Sequence, residues 1–236
     1  MNNTGNNCGT VNPGTANAGP AVLTDFDDTA AAQNVAELLL NRFGHPSWHE
    51  VRQRFRNGQV TLKEYQEITF RDIQAGPSAM VEYVKENANF RPHFRELWHY
   101  CQDRGIPMAI VSQGLDFYIE ALLEKEGITG MPVYAVDTRF TPQGITYHYN
   151  YTHPDREELG NSKGVVVDRY RQKGHYIFFA GDGTSDFEAA EHADVVFAHR
   201  TLARHCSEQN IPYREFKDFE DMFRAVREFS QNGTNP

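Results

Sequence analysis

Apolar positions along the chain fall into two rhythms. Ala21-Val22-Leu23-Thr24, Met108-Ala109-Ile110-Val111, Tyr176-Ile177-Phe178-Phe179-Ala180 and Val195-Val196-Phe197 are short, nearly uninterrupted runs. Such runs predict strands buried on both faces of a parallel sheet. Val133–Phe140 and Ile145–Tyr149 read as a hairpin around Thr141-Pro142-Gln143-Gly144, with Pro second and Gly fourth in the turn. Elsewhere the spacing changes to three and four. Val35, Leu38, Leu39 and Phe43 share a face, as do Trp48, Val51 and Phe55. Leu62, Tyr65, Ile68 and Ile73 predict a third helix, ended by Gly76-Pro77, and Met80, Val81 and Val84 a fourth. Further helices are expected over His93–Asp103, Asp116–Glu126, after Ser162-Lys163, from Asp186, and over Leu202–Gln209 and Phe219–Phe229.

Strands alternating with helices predict an α/β fold, an open parallel sheet covered on both faces. Residues 21–33 and 90–230 form this core, with a β-hairpin near 133–149. Residues 34–89, several helices without a strand, form a small helical bundle inserted after the first strand. Polar, Asn- and Gly-rich tails are expected to be disordered at 1–20 and 231–236.

Composition narrows the function. At 236 residues and 39% hydrophobic content there is material for a real core. No run approaches the ~18 apolar residues of a membrane helix. A net charge of −9 argues against a broad nucleic-acid surface, so an anionic substrate must find its positive charge within the site. Cys8, Cys101 and Cys206 are odd in number and scattered, which fits neither a disulfide framework nor a zinc knuckle. No secretory leader is recognisable, and a cytoplasmic protein is expected. Oligomeric state is not legible.

Three apolar strands run directly into polar groups: Leu23-Thr24 into Asp25, Ile110-Val111 into Ser112, Phe179-Ala180 into Gly181-Asp182. Ligands in open α/β sheets bind beyond the carboxyl ends of the strands, so Asp25, Asp27, Ser112 and Asp182 should converge. Asp25 and Asp27, two apart in extended chain, point the same way and repel. Alone they read as an acidic turn. With matching groups at two more strand ends, a hard divalent cation is the better account, and few carboxylates beside a phosphate favour Mg²⁺. Ser112 with the N–H groups of Gln113 and Gly114 can hold phosphate oxygens or simply cap a helix. Lys163 opens a helix, against the helix dipole, which an anion would offset. Gly181-Asp182-Gly183-Thr184-Ser185-Asp186 is more specific, since its glycines allow backbone to approach a ligand. Arg52, Arg54 and Arg56 read as a solvated helix face, Phe43, Trp48 and Tyr65 as bundle core, and His45 and His49 as surface residues.

Asp-x-Asp-x-Thr after one strand, Ser after another, Lys before a helix, then Gly-Asp-Gly-x-x-Asp, in that order, resembles the haloacid dehalogenase superfamily over roughly residues 21–230. The helical insert resembles that superfamily's type-one cap, on a Rossmann-like core. More narrowly, Val111-Ser112-Gln113-Gly114-Leu115-Asp116-Phe117-Tyr118 is similar to the subfamily containing phosphoserine phosphatases and a methionine-salvage phosphatase of 2-hydroxy-3-keto-5-methylthiopentenyl-1-phosphate.

The resemblance implies a phosphoric monoester hydrolase acting on a small phosphorylated metabolite. Asp25 would be the nucleophile, forming an aspartyl-phosphate, and Asp27 the general acid and base. Mg²⁺ would be held by Asp25, Asp182 and the main-chain carbonyl of Asp27. Ser112, Gln113, Gly114 and Lys163 would bind phosphate, with Thr29, Gly183 and Asp186 in support. Asp28 departs from the Gly usual in the first motif, and a Cys-rich run before the Lys is absent. No acid precedes Glu37 where phosphoserine phosphatases hold the substrate amine. Alternatives are phosphoserine, phosphoethanolamine or phosphocholine as substrate, or a non-hydrolytic phosphotransferase or binding protein.

Overall fold

The computed structural model describes residues 18–232. Seven strands among the described residues form one sheet in the order β4-β3-β2-β1-β5-β6-β7. They are β1 (Pro20–Thr24), β2 (Met108–Leu115), β3 (Val133–Thr141), β4 (Gly144–His148), β5 (Tyr176–Gly181), β6 (Val195–Ala198) and β7 (Tyr213–Glu215). All neighbours pair in parallel except β3 and β4, the expected hairpin. The chain winds outward from β1 through β2 to β3 and β4, then returns to the other side of β1 for β5. The direction of winding therefore reverses beside β1, where open α/β sheets bind ligands.

Alternation along the strands explains the two covered faces. Ala21, Leu23, Ala109, Val111, Ile177 and Phe179 pack on one side against α7 (Lys163–Gln172), α8 (Phe187–His192) and α9 (Arg200–Gln209). Val22, Met108, Ile110, Phe178 and Ala180 face the other side, with α5 (Phe94–Asp103), α6 (Asp116–Lys125) and α10 (Phe219–Asn232). The interleaved side chains are almost all fully buried, which is why these strands read as continuous apolar runs.

Four helices make up the insert between β1 and α5: α1 (Val35–Phe43), α2 (Trp48–Arg56), α3 (Leu62–Arg71) and α4 (Pro77–Asn87). Asn34 caps α1 by accepting the Glu37 N–H, and Thr61 with Glu64 closes a capping box on α3. The two connections of this insert run antiparallel, with Ala31 bridging Phe90, Ala32 N–H donating to Asn89 O, and Arg91 N–H to Ala30 O. The insert also leans on the core: α4 lies against α6, and Lys125 Nζ donates to Ala88 O at 2.7 Å.

Several expectations need correction. Gly76-Pro77 does not end the third helix; it starts the fourth, with Gly76 as cap and Pro77 at the first helical position, where a missing N–H costs nothing. Ile73 falls in the connection after α3. β7 was not expected, because its three residues are all exposed and carry no apolar run. β2 does not stop at Val111. It continues to Leu115 through an irregularity, since Val111 pairs with Tyr134 and Leu115 with Val136. Four residues of β2 advance against two of β3, so Ser112-Gln113-Gly114 bulges from the ladder. Ser112 is thus not a helix cap; Leu115 precedes α6.

The expected tails lie mainly outside the described residues. Where they are described they are ordered: Ala18 N–H donates to Gly174 O, β1 begins at Pro20, and α10 runs through Asn232. Cys101 and Cys206 are buried free thiols, and Cys8 lies outside the described residues. Among the described residues no helix is long and apolar enough to cross a membrane.

Candidate active site

Asp25 leaves β1 with its N–H bonded to Ala180 O of β5 at 2.9 Å, so the first acidic residue is tied to the neighbouring strand. The next five residues coil tightly, closed by Ala30 N–H to Asp25 O and Ala31 N–H to Phe26 O. Asp27 stays extended within this turn, and Asp28 takes the left-handed conformation, φ 61°. That explains a preference for Gly there, and Asp is among the few other residues that tolerate it. The substituted side chain has a partner. Arg200 Nη1 lies 2.8 Å from Asp28 Oδ1 and 3.4 Å from Asp182 Oδ2, while Arg91 Nη2 donates to Asp28 O at 2.6 Å.

Lys163 is the centre of the site. Only 2% exposed, its Nζ donates to Asp25 Oδ1 at 2.5 Å and to Asp186 Oδ1 at 2.6 Å. Ser162 caps α7 through the Val165 N–H, and the helix delivers Lys163 from its first residue across the ends of β1 and β5. The unfavourable position on the helix dipole is offset by two carboxylates. Burial alone would lower the Lys163 ammonium, but Asp186 and Asp25 outweigh it and hold the group protonated.

Asp186 is fully buried, and its other oxygen accepts the N–H groups of Asp182 and Gly183 at 2.9 and 2.8 Å. It therefore braces both Lys163 and the turn after β5. Gly181 makes this possible: a Cβ there would stand 2.6 Å from Asp186 Cγ. Gly183 has only ordinary contacts at that position, so close approach requires the first glycine and not the second. Gly181→Ala is expected to cost about 1–3 kcal/mol through this overlap. Urea unfolding checks it, and a cost within error of zero would contradict the packing.

Carboxylate oxygens of Asp25, Asp182 and Asp186 lie within 4.8 Å of one another. The Asp182 carboxylate makes only long contacts among the described residues, 3.5 Å from Thr29 Oγ1 and 3.4 Å from Arg200, and so remains available to a ligand. Burial, then Asp186 and Asp28, push Asp182 up to about 6. Burial and the repulsion of Asp186 and Asp182 push Asp25 up as well, against the pull of Lys163. This excess of buried negative charge fits a divalent cation. The Asp27 carboxylate is not in this trio. Its Oδ1 accepts Val35 N–H at 2.6 Å and Ala36 N–H at 3.3 Å, at the start of α1, and its Oδ2 accepts the Tyr118 hydroxyl at 2.9 Å. Any share of Asp27 in holding a cation falls to its main-chain carbonyl. Burial pushes the Asp27 carboxyl up to about 6, with Tyr118 and the two amides holding it down.

Ser112 is 3% exposed, and its Oγ accepts the Gly114 N–H at 2.9 Å. That N–H closes the bulge internally, which leaves the Ser112 hydroxyl proton to donate to an anion. The Gln113 side chain donates to Asn161 O at 2.6 Å, and its carbonyl accepts Gln66 Nε2 of α3 at 2.8 Å. The insert thereby reaches the edge of the site. Trp48 and Tyr65 are buried in the insert, as expected, whereas Phe43 is half-buried. Arg52 pairs with Glu37, and Arg54 and Arg56 are exposed. Tyr118, Arg200 and Arg91 were not foreseen; only the motif neighbourhood of Tyr118 hinted at the first.

Comparison with known proteins gives the family of the chain. The family model of haloacid dehalogenase-like hydrolases matches residues 22–191, from β1 through α8. A Brevibacillus brevis protein named 2-hydroxy-3-keto-5-methylthiopentenyl-1-phosphate phosphatase is 26% identical over 216 residues, covering 89% of this chain and 96% of that one. A Lysinibacillus sphaericus protein of the same name is 27% identical over 220 residues, covering 90% and 96%. Among solved structures, a phospho-aspartyl intermediate analogue of phosphoserine phosphatase superposes with a TM-score of 0.64 at 15% identity, covering 87% of this chain and 97% of that one. The family match spans every strand end that carries a carboxylate of the site, and the chain belongs to the haloacid dehalogenase-like hydrolase family.

Proposed function

We propose that the chain is a Mg²⁺-dependent phosphomonoesterase that works through an aspartyl-phosphate on Asp25, with a small metabolite phosphate as substrate. The observation that carries this reading is the unlike setting of two neighbouring carboxylates. Asp25 is paired with a buried ammonium, while Asp27 is held by neutral donors alone; burial pushes both carboxyls up, so it is their partners that differ. A carboxylate on a fixed positive charge suits the nucleophile, and one held by neutral donors suits the acid.

In the first step an Asp25 oxygen attacks phosphorus, and the bond from phosphorus to the ester oxygen breaks. The departing alkoxide takes the Asp27 proton. Asp27, now a carboxylate, removes a proton from water, which attacks the aspartyl-phosphate, releases inorganic phosphate and restores Asp25. Lys163 holds the attacking carboxylate and would bond a phosphate oxygen, with the Ser112 hydroxyl and the Gln113 N–H as further donors. Asp25, Asp182 and the Asp27 carbonyl would hold Mg²⁺, which lets an anionic nucleophile meet an anionic phosphate. Helices α1–α4 would act as the cap. Relatives named for 2-hydroxy-3-keto-5-methylthiopentenyl-1-phosphate support that ester as the first substrate to try. Phosphate release from a panel including this ester, phosphoserine, phosphoethanolamine and phosphocholine tests the reading. Release from none of them, by folded protein in Mg²⁺, would overturn it.

The cation has a consequence for stability. A carboxyl raised in the folded state stabilises the fold below the ordinary carboxylate value of about 3.9, and that contribution is lost as pH rises through its folded value. For Asp182 the folded value is about 6. The metal-free protein is therefore expected to lose stability as pH rises through about 6, and Mg²⁺ to reverse the loss by binding the ionised form. Melting curves in Mg²⁺ and in EDTA should separate increasingly toward neutral pH. A separation independent of pH would contradict this.

A further inference from the structure

Tyr118, on the first turn of α6, is fully buried, yet its hydroxyl reaches the candidate acid, donating to Asp27 Oδ2 at 2.9 Å. The other oxygen, Oδ1, accepts two amides of α1, from Val35 and Ala36. A carboxylate oxygen offers two lone-pair directions, and an amide N–H only donates. Oδ1 is thus filled, while Oδ2 keeps one direction free. A proton carried by Asp27 rides on Oδ2, the oxygen Tyr118 holds.

Gly114 shows which way that oxygen faces. A Cβ at 114 would stand 2.0 Å from Tyr118 Oη and 3.0 Å from Asp27 Oδ2, so bare backbone of the β2 bulge lies against both. Oδ1 looks toward the insert, and Oδ2 toward Ser112-Gln113-Gly114, the segment read above as phosphate-binding.

We propose that Tyr118 is a positioning residue whose hydroxyl fixes the Asp27 carboxyl so that Oδ2 presents its proton to the leaving-group oxygen. This rests on the reading of Asp27 as general acid. The two amides anchor one end of the carboxyl and Tyr118 the other. Without the hydroxyl, Oδ2 is free to swing away from the ester oxygen.

Leaving-group chemistry separates this role from a packing role. An alkoxide needs a proton as it departs, whereas p-nitrophenolate leaves without one. Tyr118→Phe keeps the ring and its contacts with Phe26 and Phe117, at centroid distances of 5.8 and 5.4 Å. The quantity to read is kcat/KM for the best alkyl phosphate of the panel divided by kcat/KM for p-nitrophenyl phosphate. In Tyr118→Phe this ratio should fall about tenfold, a part of the ~10²–10⁴ that general acid catalysis supplies. Asp27→Asn should lower it further, and adding Tyr118→Phe to Asp27→Asn should lower it no more. An unchanged ratio in Tyr118→Phe, with both esters slowed alike, would overturn the assignment. So would a further drop in the double variant. If Asp27→Asn itself leaves the ratio at its wild-type value, the reading of Asp27 fails and the role of Tyr118 falls with it.

Discussion

Asp25→Asn is expected to lower phosphate release at least about 10³-fold while the protein stays folded, as loss of a covalent nucleophile does. The reason is local. Asp25 is 5% exposed as a residue, with its carboxylate directly on the Lys163 ammonium at the carboxyl end of β1. Asn fills the same volume, and the link from Asp25 N–H to Ala180 O belongs to the backbone, so the strand end should keep its shape. Removing one carboxylate from a crowded trio also relieves repulsion in the metal-free protein. Steady-state phosphate release and a melting curve together check this. Retained turnover would place the nucleophile elsewhere. Lost turnover with a collapsed melting curve would make Asp25 structural.

The second large effect belongs to Lys163. Lys163→Met is expected to cost about 3–5 kcal/mol, because Asp25 and Asp186 are left buried without their cation. The Asp25 side chain is 7% exposed and that of Asp186 fully buried, so solvent offers little screening. Turnover should fall about 10²–10³-fold, the range seen when a donor to a developing charge is lost. On the proposed reading Mg²⁺ should return part of the lost stability by supplying positive charge to Asp25. Chemical unfolding with and without Mg²⁺, beside kcat, measures both. A stability change under about 1 kcal/mol, the scale of a surface pair, would mean that the lysine is solvated.

Much of this site could be read from residues alone, because strand ends advertise themselves. Leu23-Thr24 and Phe179-Ala180 are buried on both faces, so the first carboxylate after each marks the carboxyl end of its strand. Asp25 and Asp182 were legible for that reason, and Lys163 because a lysine in a first helical turn is misplaced. What escaped depends on contacts far apart in sequence. Tyr118 meets Asp27 across 91 residues, and its place in the motif after Val111 does not say which group its hydroxyl meets. Arg200 pairs with Asp28, but each is ordinary until the turn after β1 is coiled. Ser112 could be read as a phosphate binder or a helix cap, because the β2 bulge that keeps it within the strand is set by pairing with β3. β7 hid for the opposite reason: at the sheet edge, with Tyr213, Arg214 and Glu215 exposed, it owes its existence to hydrogen bonds with β6 and carries no apolar signature. Gly76-Pro77 was ambiguous in kind, since the same pair can stop one helix or start the next, and the short connection after α3 decided it.

The central claim is that Asp25 carries the phosphoryl group during turnover. Acid quench of the wild-type protein in Mg²⁺ with a turned-over ester, followed by peptide mass analysis, tests it most directly. The account predicts one phosphoryl group on the peptide containing Asp25, absent from Asp25→Asn and discharged when the wild-type protein is chased with buffer before the quench. Turnover with no phosphoryl group on the protein at any quench time, or a group on a different peptide, would contradict it.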